Sequence, residues 1–416
     1  MMPSCVFCER GSTAPASCRR SFPGPSAKAR KGKAIMYLTE DQQLFRDAVR
    51  KMAEKEIAPI AAEIDDTDRF PKELVPIFGD MGLLQMWVPE QYGGPGGNLT
   101  SVCLAKEEVA RVSEAASLMV GNNSIGMILP LLHFGSEEQR QRFLPEIAKG
   151  RTLTAVAMTE PHAGSDVGAM KTRAVRDGNA AYVLNGQKCY ITFGSVADYI
   201  LVFARTDPDA KGFDGISAFI VDTKTKGFRV GRNERKMGIH GIPNVEIFFD
   251  DMRVPVENMV GEEGKGFRAA MKILDLNRPT VGAISVGLAQ GAIDVAIAYA
   301  KERKQFGRSI SQFQGLQFMI ADMAMQTEAA RSLVYECARQ VDNGDLRNLA
   351  TMASMAKCFA SDVAMKVTTD AVQILGGAGY MKDYPVERMM RDAKINQIFE
   401  GTNQIQRVII SRHLLQ

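Results

Sequence analysis

Between residues 44 and 64 apolar side chains recur at Leu44, Ala48, Val49, Met52, Ala53, Ile57 and Ile60. Spacing of three and four predicts a helix with one face in a core. The same period runs through LAKEEVARVSEAASLMV and SEEQRQRFLPEIAKG, where Ser136 followed by Glu137 and Glu138 predicts a helix start. Near Thr152 the period changes. AAYVLNGQKCYITF reads as a strand, an Asn185-Gly186 turn and a second strand, which predicts a hairpin. DYILVFARTD, ISAFIVDT and VEIFFDDMRVP follow as short apolar or alternating runs broken by Gly, Asp and Pro, so a small antiparallel β domain should close near Gly261. Helical spacing returns after Gly266, through Leu288, Ala292, Val295, Ala296, Tyr299 and Ala300. Two more long helices are expected over about 311–342 and 346–375.

The predicted chain is therefore multi-domain α+β. An N-terminal helical domain covers 36–152, a middle antiparallel β domain 153–264, and a C-terminal helical bundle 265–416. A doubly wound parallel sheet would alternate strands with helices, and no G-x-G-x-x-G follows a strand. GGPGG at 93–97 has neither a strand before it nor a lysine after it, so it cradles no phosphate.

Composition narrows the function classes. The 416 residues leave room for two or three cores, and 45% apolar with 24% charged residues is ordinary for a globular chain. A net charge of +3 gives no reason to expect nucleic acid or an anionic membrane as principal partner. No apolar run approaches the roughly 20 residues of a bilayer span, so no membrane span is expected. Seven irregularly spaced Cys suggest a reducing compartment rather than a disulfide framework.

Residues 1–35 differ from the rest: they are rich in Ser, Pro, Ala and basic residues, with Glu9 the sole acid, and are expected to hold no core. Cys5-x-x-Cys8 has only Cys18 nearby and no His, which makes a poor metal site. The segment reads either as a transit-like leader, implying the mitochondrial matrix, or as residues upstream of a start at Met36, implying the cytoplasm of a bacterium or archaeon. The lack of an amphipathic period favours the second reading.

Two stretches carry candidate chemistry. INQIFEGTNQIQR (395–407) places Glu400 after Ile398 and Phe399, with no further charge until Arg407. A desolvated carboxylate has a raised pKa and makes a stronger base; an N-cap or surface acid is the other reading of this stretch. AMTEPHAGSD (157–166) is a turn rich in short donors, with hydroxyls at Thr159 and Ser165. It suits an uncharged, hydrogen-bonding ligand edge better than a nucleophile.

With CYIT (189–192), QILGGAGYMKDYPVERMMRD (373–392) and FEGTNQIQR, that loop closely resembles the acyl-CoA dehydrogenase family over about residues 37–416. RKQFG and LDLNRPTVGA resemble further family segments. The family fold has helical, β and four-helix-bundle domains in the order predicted above. The resemblance implies FAD as cofactor and Glu400 as the base that removes the acyl α-proton while a hydride leaves the β-carbon, giving a trans-2-enoyl-CoA. The thioester oxygen would be bonded by the Glu400 N–H, with Gly401 allowing close approach.

Flavin contacts map by resemblance to Val156, Met158, Thr159 and Ser165 on the loop, to Tyr190, Ile191 and Thr192 over the ring, and to Thr402 and Gln404. Arg303, Gln305, Phe306, Gln314, Gln373, Gly376 and Gly377 match places where a neighbouring subunit holds the adenine and pyrophosphate. Ser165, Asp275, Asn277, Arg278 and Gly401 fall at acyl-CoA positions. Some members carry the base on the helix containing position 277, which is Asn here, so Glu400 is the one base candidate.

Tyr190 stands where Trp is common, Phe193 where Asn is frequent, and His240 in place of an Arg; His162 fills a smaller slot. The implied enzyme is a homotetramer acting on a short or branched acyl-CoA and passing electrons to an electron-transfer flavoprotein. No Arg lies between residues 113 and 133, which argues against a dicarboxylic acyl chain. An acyl-CoA oxidase and a flavin-binding assembly protein without turnover are the alternatives. The 23 Met read as core filling, and the four His form no spaced ligand pair, so no metal is expected. Cys103, Cys189, Cys337 and Cys358 read as buried apolar residues, and EEVAR and SEEQRQR as solvated helix faces.

Overall fold

A computed structural model describes residues 38–415. The leader, with Cys5, Cys8 and Cys18, lies outside the described residues. The first helix, α1 (Glu40–Met52), starts on a complete capping box in which Thr39 accepts from the Gln42 N–H and the Gln42 side chain from the Thr39 N–H. A π turn at Ala53–Ile57 passes it to α2 (Ala61–Thr67). Then come α3 (Leu74–Asp80), α4 (Leu99–Ala110), α5 (Glu114–Met119), a second π turn at Ser124–Ile128, α6 (Leu129–Phe134) and α7 (Glu137–Ala148). The expected start at Ser136 is correct: it forms a capping box with Gln139. Two members of the first stripe, Leu44 and Ala48, are exposed, and Phe45 packs on the core in their place.

EEVAR is a correction. Glu107 and Glu108 are buried on α4, where Arg331 and the Tyr335 hydroxyl hold Glu107 at 2.9 and 2.7 Å. Arg50 forks onto Glu108 at 2.6 and 2.7 Å. A buried charge needs such partners, and they lie far away in sequence.

The middle sheet contains β1 (Thr154–Ala157), β2 (Arg173–Asp177), β3 (Ala181–Thr192), β4 (Tyr199–Arg205), β5 (Ile216–Asp222), β6 (Phe228–Asn233), β7 (Asn244–Pro255) and β8 (Met259–Val260). Its order is β6-β7-β3-β2-β4-β5-β8, with β1 beside β4. Most pairs are antiparallel as expected, but β1 and β2 each pair parallel with β4.

The Asn185-Gly186 hairpin does not form. Both residues sit inside the single strand β3, at a register shift against β7. Asn185 exchanges two 2.9 Å bonds with Asp251, and a Cβ on Gly186 would stand 2.6 Å from Thr172. The glycine serves close approach, and the turn between β2 and β3 forms instead around Gly178, at φ 59°.

Three long helices follow, α8 (Gly266–Glu302), α9 (Gln314–Asp342) and α10 (Leu349–Leu375), with a small hairpin of β9 (Lys304–Gln305) and β10 (Arg308–Ser309) after α8. Shorter α11 (Val386–Ala393) and α12 (Asn403–Leu414) end the chain. Gly287 and Gly291 let α8 lie against α4: a Cβ there would come within 2.1 and 2.2 Å of the carbonyls of Glu107 and Arg111. Contrary to the sequence expectation, the helical stretches Glu114–Phe134 and Gly266–Glu302 are long and apolar enough to cross a bilayer, yet 78% and 72% of those windows are buried inside the fold.

Candidate active site

The segment between α11 and α12 cannot stay helical. Glu400 and Gly401 both take left-handed backbone, at φ 52° and 92°. For a glutamate this is strained, and it persists only where neighbours over-determine it. They do so here. Gln406 Nε2 donates to the carbonyls of Glu400 and Gly401 at 3.1 and 2.9 Å. Lys357 Nζ donates to the Gly401 carbonyl and to Asn403 Oδ1, both at 2.9 Å. Thr402 caps α12 by accepting from the Ile405 N–H at 3.3 Å.

This geometry aims the Glu400 carboxylate at α8. There the Asn277 amide donates to both of its oxygens, at 2.8 and 3.0 Å. Burial raises the carboxyl pKa above its ordinary value, opposed first by the Asn277 bond and then by the charges of Lys106, Arg278 and Lys357. Arg278 is only 3% exposed, ion-paired to Asp275, with Nε 3.5 Å from the Glu400 carbonyl. Among the described residues the Glu400 N–H donates to nothing, which leaves it available for a substrate oxygen. Lys106, Lys357, Asn403 and Gln406 are the residues sequence reasoning missed. Their one signal was polarity inside apolar helical runs.

The second part of the site lies where the loop after β1 meets β3. Cys189 N–H donates to the Thr159 carbonyl at 3.0 Å, which brings Met158 and Thr159 beside Tyr190 on β3, while Ser165 is exposed further along the same loop. Buried Lys188 fastens the two by donating to Met158 O at 3.0 Å and Glu160 Oε1 at 2.8 Å. Burial pulls the Lys188 ammonium down to about 8 although Glu160 holds it up. Glu160 also accepts from the N–H groups of Lys171 and Thr172 and stays below its ordinary value. Neither residue stood out in the sequence.

Tyr190 is left-handed, at φ 58°, and 64% exposed. The Ile191 side chain is buried in the sheet, so only its backbone can face a ligand. The Thr159 and Ser165 hydroxyls have no protein partner among the described residues. Free short donors beside an exposed aromatic fit the polar edge and flat face of a flavin.

The remaining predicted contacts lie elsewhere. Arg303, Gln305 and Phe306 sit on the exposed β9–β10 hairpin, with Phe306 93% exposed. Gln314, Gln373, Gly376, Gly377 and Gln404 are exposed as well. At about 1.5 Å per residue, Arg303 is roughly 39 Å along α8 from Asn277, and Gln373 about 24 Å along α10 from Lys357. One chain does not bring the hairpin residues or Gln373 to Glu400, whereas Gln404 stands on the first turn of α12, four residues after it. Near Asp275, a cavity of about 400 Å³ is lined by Lys272, Arg347 and His413 among others. No cluster of three or more His, Cys, Asp or Glu suited to a metal occurs among the described residues. Cys103, Cys189, Cys337 and Cys358 are free and buried.

The chain thus combines a strained carboxylate between α11 and α12 with a donor-rich loop beside an exposed aromatic, on a helical–β–helical scaffold. Family comparison agrees. Residues 39–151, 155–252 and 264–415 match the acyl-CoA dehydrogenase N-terminal, middle and C-terminal domains. A probable acyl-CoA dehydrogenase of Mycobacterium tuberculosis is 51% identical over 92% of this chain and 97% of its own length. Butyryl-CoA dehydrogenase from Megasphaera elsdenii is 43% identical, with TM-score 0.88 over 92% of this chain and 100% of that one. A chain from a structure of the electron transferring flavoprotein of Acidaminococcus fermentans is 48% identical, with TM-score 0.88 over 92% and 99%. The chain belongs to the acyl-CoA dehydrogenase family of flavoprotein oxidoreductases.

Proposed function

We propose that this protein desaturates a short or branched acyl-CoA thioester between its α- and β-carbons, with FAD as cofactor and an electron-transfer flavoprotein as acceptor. The observation that carries the reading is the Glu400 carboxylate, half-buried and aimed by Asn277. An α-hydrogen beside a thioester is a weak acid, so its removal needs a desolvated base and a donor for the developing oxyanion. Glu400 takes the α-proton on its carboxylate, and its own free N–H faces the thioester oxygen. Asn277 keeps the carboxylate oriented, while Gln406, Lys357 and Arg278 hold the left-handed turn that presents both groups. FAD, when bound, supplies the acceptor for the β-hydride. Thr159, Ser165, Tyr190 and Thr192 would hold its ring, with Lys188 and Glu160 fixing the loop they stand on.

Lys272 and Arg347, lining the cavity with Asp275, offer cations to the CoA phosphates. The name of the Megasphaera relative supports a short acyl chain, and the Acidaminococcus structure supports a flavoprotein acceptor. The test is anaerobic titration of the flavin-loaded protein with straight, branched and cyclic acyl-CoAs. Stoichiometric bleaching of the flavin by at least one short thioester is expected. Bleaching by none would sink the reading, and rapid peroxide formation in air would replace the flavoprotein acceptor with oxygen.

A further inference from the structure

The loop between β6 and β7 ties three parts of the molecule together. Where it enters β7, Asn244 Nδ2 donates to Thr192 Oγ1 at 3.2 Å, and the Phe193 N–H donates to the Pro243 carbonyl at 2.9 Å. The loop therefore holds the end of β3 that carries predicted flavin contacts. On its other side, the Ile239 N–H donates to Asp392 Oδ1 at 2.5 Å, on the α11 helix that leads to Glu400. The Gly241 N–H donates to Asp68 Oδ1 at 2.7 Å, just past α2. Ile239 and Phe193 are both left-handed, at φ 48° and 63°. Bulky residues keep such backbone only while neighbours over-determine it.

His240 is the neighbour whose charge can change. Its side chain is 23% exposed and spans α2 and the loop. Nδ1 stands 2.9 Å from both the carbonyl and Oδ1 of Asp65, and Nε2 stands 3.1 Å from the Lys236 carbonyl. Asp65 is kept ionised: burial pushes its carboxyl up, but the fork from Arg391, at 2.6 and 3.0 Å, and the charges of His240 and Arg388 hold it below its ordinary value. All three partners of the ring are then acceptors, so both ring nitrogens need a hydrogen. A neutral imidazole has only one N–H and would turn a lone pair toward an oxygen. The remaining charges of the junction pair with one another, Lys236 with Asp68 at 3.3 Å and Arg391 with Glu387 at 2.8 and 2.9 Å.

We propose that His240 is a positioning residue whose proton latches this loop to α2: the imidazolium, donating from both ring nitrogens, keeps Thr192 set for the flavin, and loss of the proton frees the loop. The flavin half of this inference rests on the function proposed above; the latch does not. An arginine at this place would be a latch that stays shut, because a guanidinium keeps its charge.

Hydrogen exchange read by mass spectrometry on the full chain tests the latch through the Phe193, Ile239 and Gly241 amides. Corrected for the intrinsic pH dependence of exchange, their protection should fall about tenfold, the scale of one charge-assisted hydrogen bond, between about pH 5 and 8, where histidine changes charge. FAD affinity, read by fluorescence titration, should fall in parallel. His240→Arg should hold both quantities at their low-pH level throughout, and His240→Gln, always neutral, should show the high-pH level throughout. Burial holds the Asp392 carboxyl up at about 6, inside the same window. A fall that survives in His240→Arg would therefore belong to Asp392 and overturn the proposal. Protection independent of pH in the wild-type chain, or a loosened loop with unchanged FAD affinity, would overturn it as well. A chain that takes up no FAD at any pH would instead remove the flavoenzyme reading, with exchange still deciding the latch.

Discussion

Glu400 is strained in its backbone and desolvated in its side chain, and both properties bear on its chemistry. Glu400→Gln keeps the shape and the Asn277 contact but removes the base. The expected outcome is retained flavin and thioester binding with a flavin-reduction rate lower by about 10²–10⁴, read by anaerobic stopped flow. Its pH dependence follows from the direction of the shift. Only the deprotonated form accepts the α-proton, so the rate should rise with pH through a value above the ordinary carboxylate range. Asn277 is the largest influence holding that value down. Asn277→Ala should therefore move the acid limb to higher pH, and an unmoved limb would detach Asn277 from the base. At this scale the sequence showed the acid and its apolar neighbours. It did not show the clamp, because Asn277 and Lys357 lie 123 and 44 residues from the atoms they hold.

Elements show where periodicity informs and where it misleads. The helix start at Ser136 was legible because capping is local. Asn185-Gly186 was misread because the same dipeptide that turns a hairpin also fits a bulge, and here strand β7 and Thr172 decide. The Lys188–Glu160 pair is an element-scale fastener, joining the loop after β1 to β3. Lys188→Met leaves a buried carboxylate without its cation, and breaking such a pair costs about 3–5 kcal/mol. Chemical denaturation should show that loss, and flavin affinity should fall with it. A variant with native stability and unchanged flavin affinity would show that the loop is positioned by other contacts.

Across the whole molecule, most predicted flavin contacts fall into two groups, one in the middle domain and one beyond the C-terminal end of α8, with Thr402 and Gln404 next to Glu400. Residues 156–192 lie on the sheet, whereas Arg303, Gln305 and Phe306 sit on an exposed hairpin beyond that helix. If a neighbouring copy supplies the hairpin group, as in a homotetramer, Arg303→Ala should weaken FAD binding about tenfold or more, the scale of a lost charge-assisted contact. The pH limb set by Glu400 should stay where it is. Flavin release should also track dissociation when the assembly is diluted and followed by light scattering and fluorescence. Release independent of oligomeric state would place the whole cofactor on one chain.

The order of helices, strands and helices follows from the sequence itself, because period 2 and period 3.6 are local consequences of where each side chain points. The lone acid before a glycine was equally plain. Only the tertiary structure decided which charges are buried. A periodic stripe reports burial when one face meets water, but α4 and α8 are enclosed on most sides. There Glu107 and Glu108 look like solvent-facing positions in sequence and become interior groups in the fold. Their partners, Arg331 and Arg50, come from segments that chain folding alone brings near.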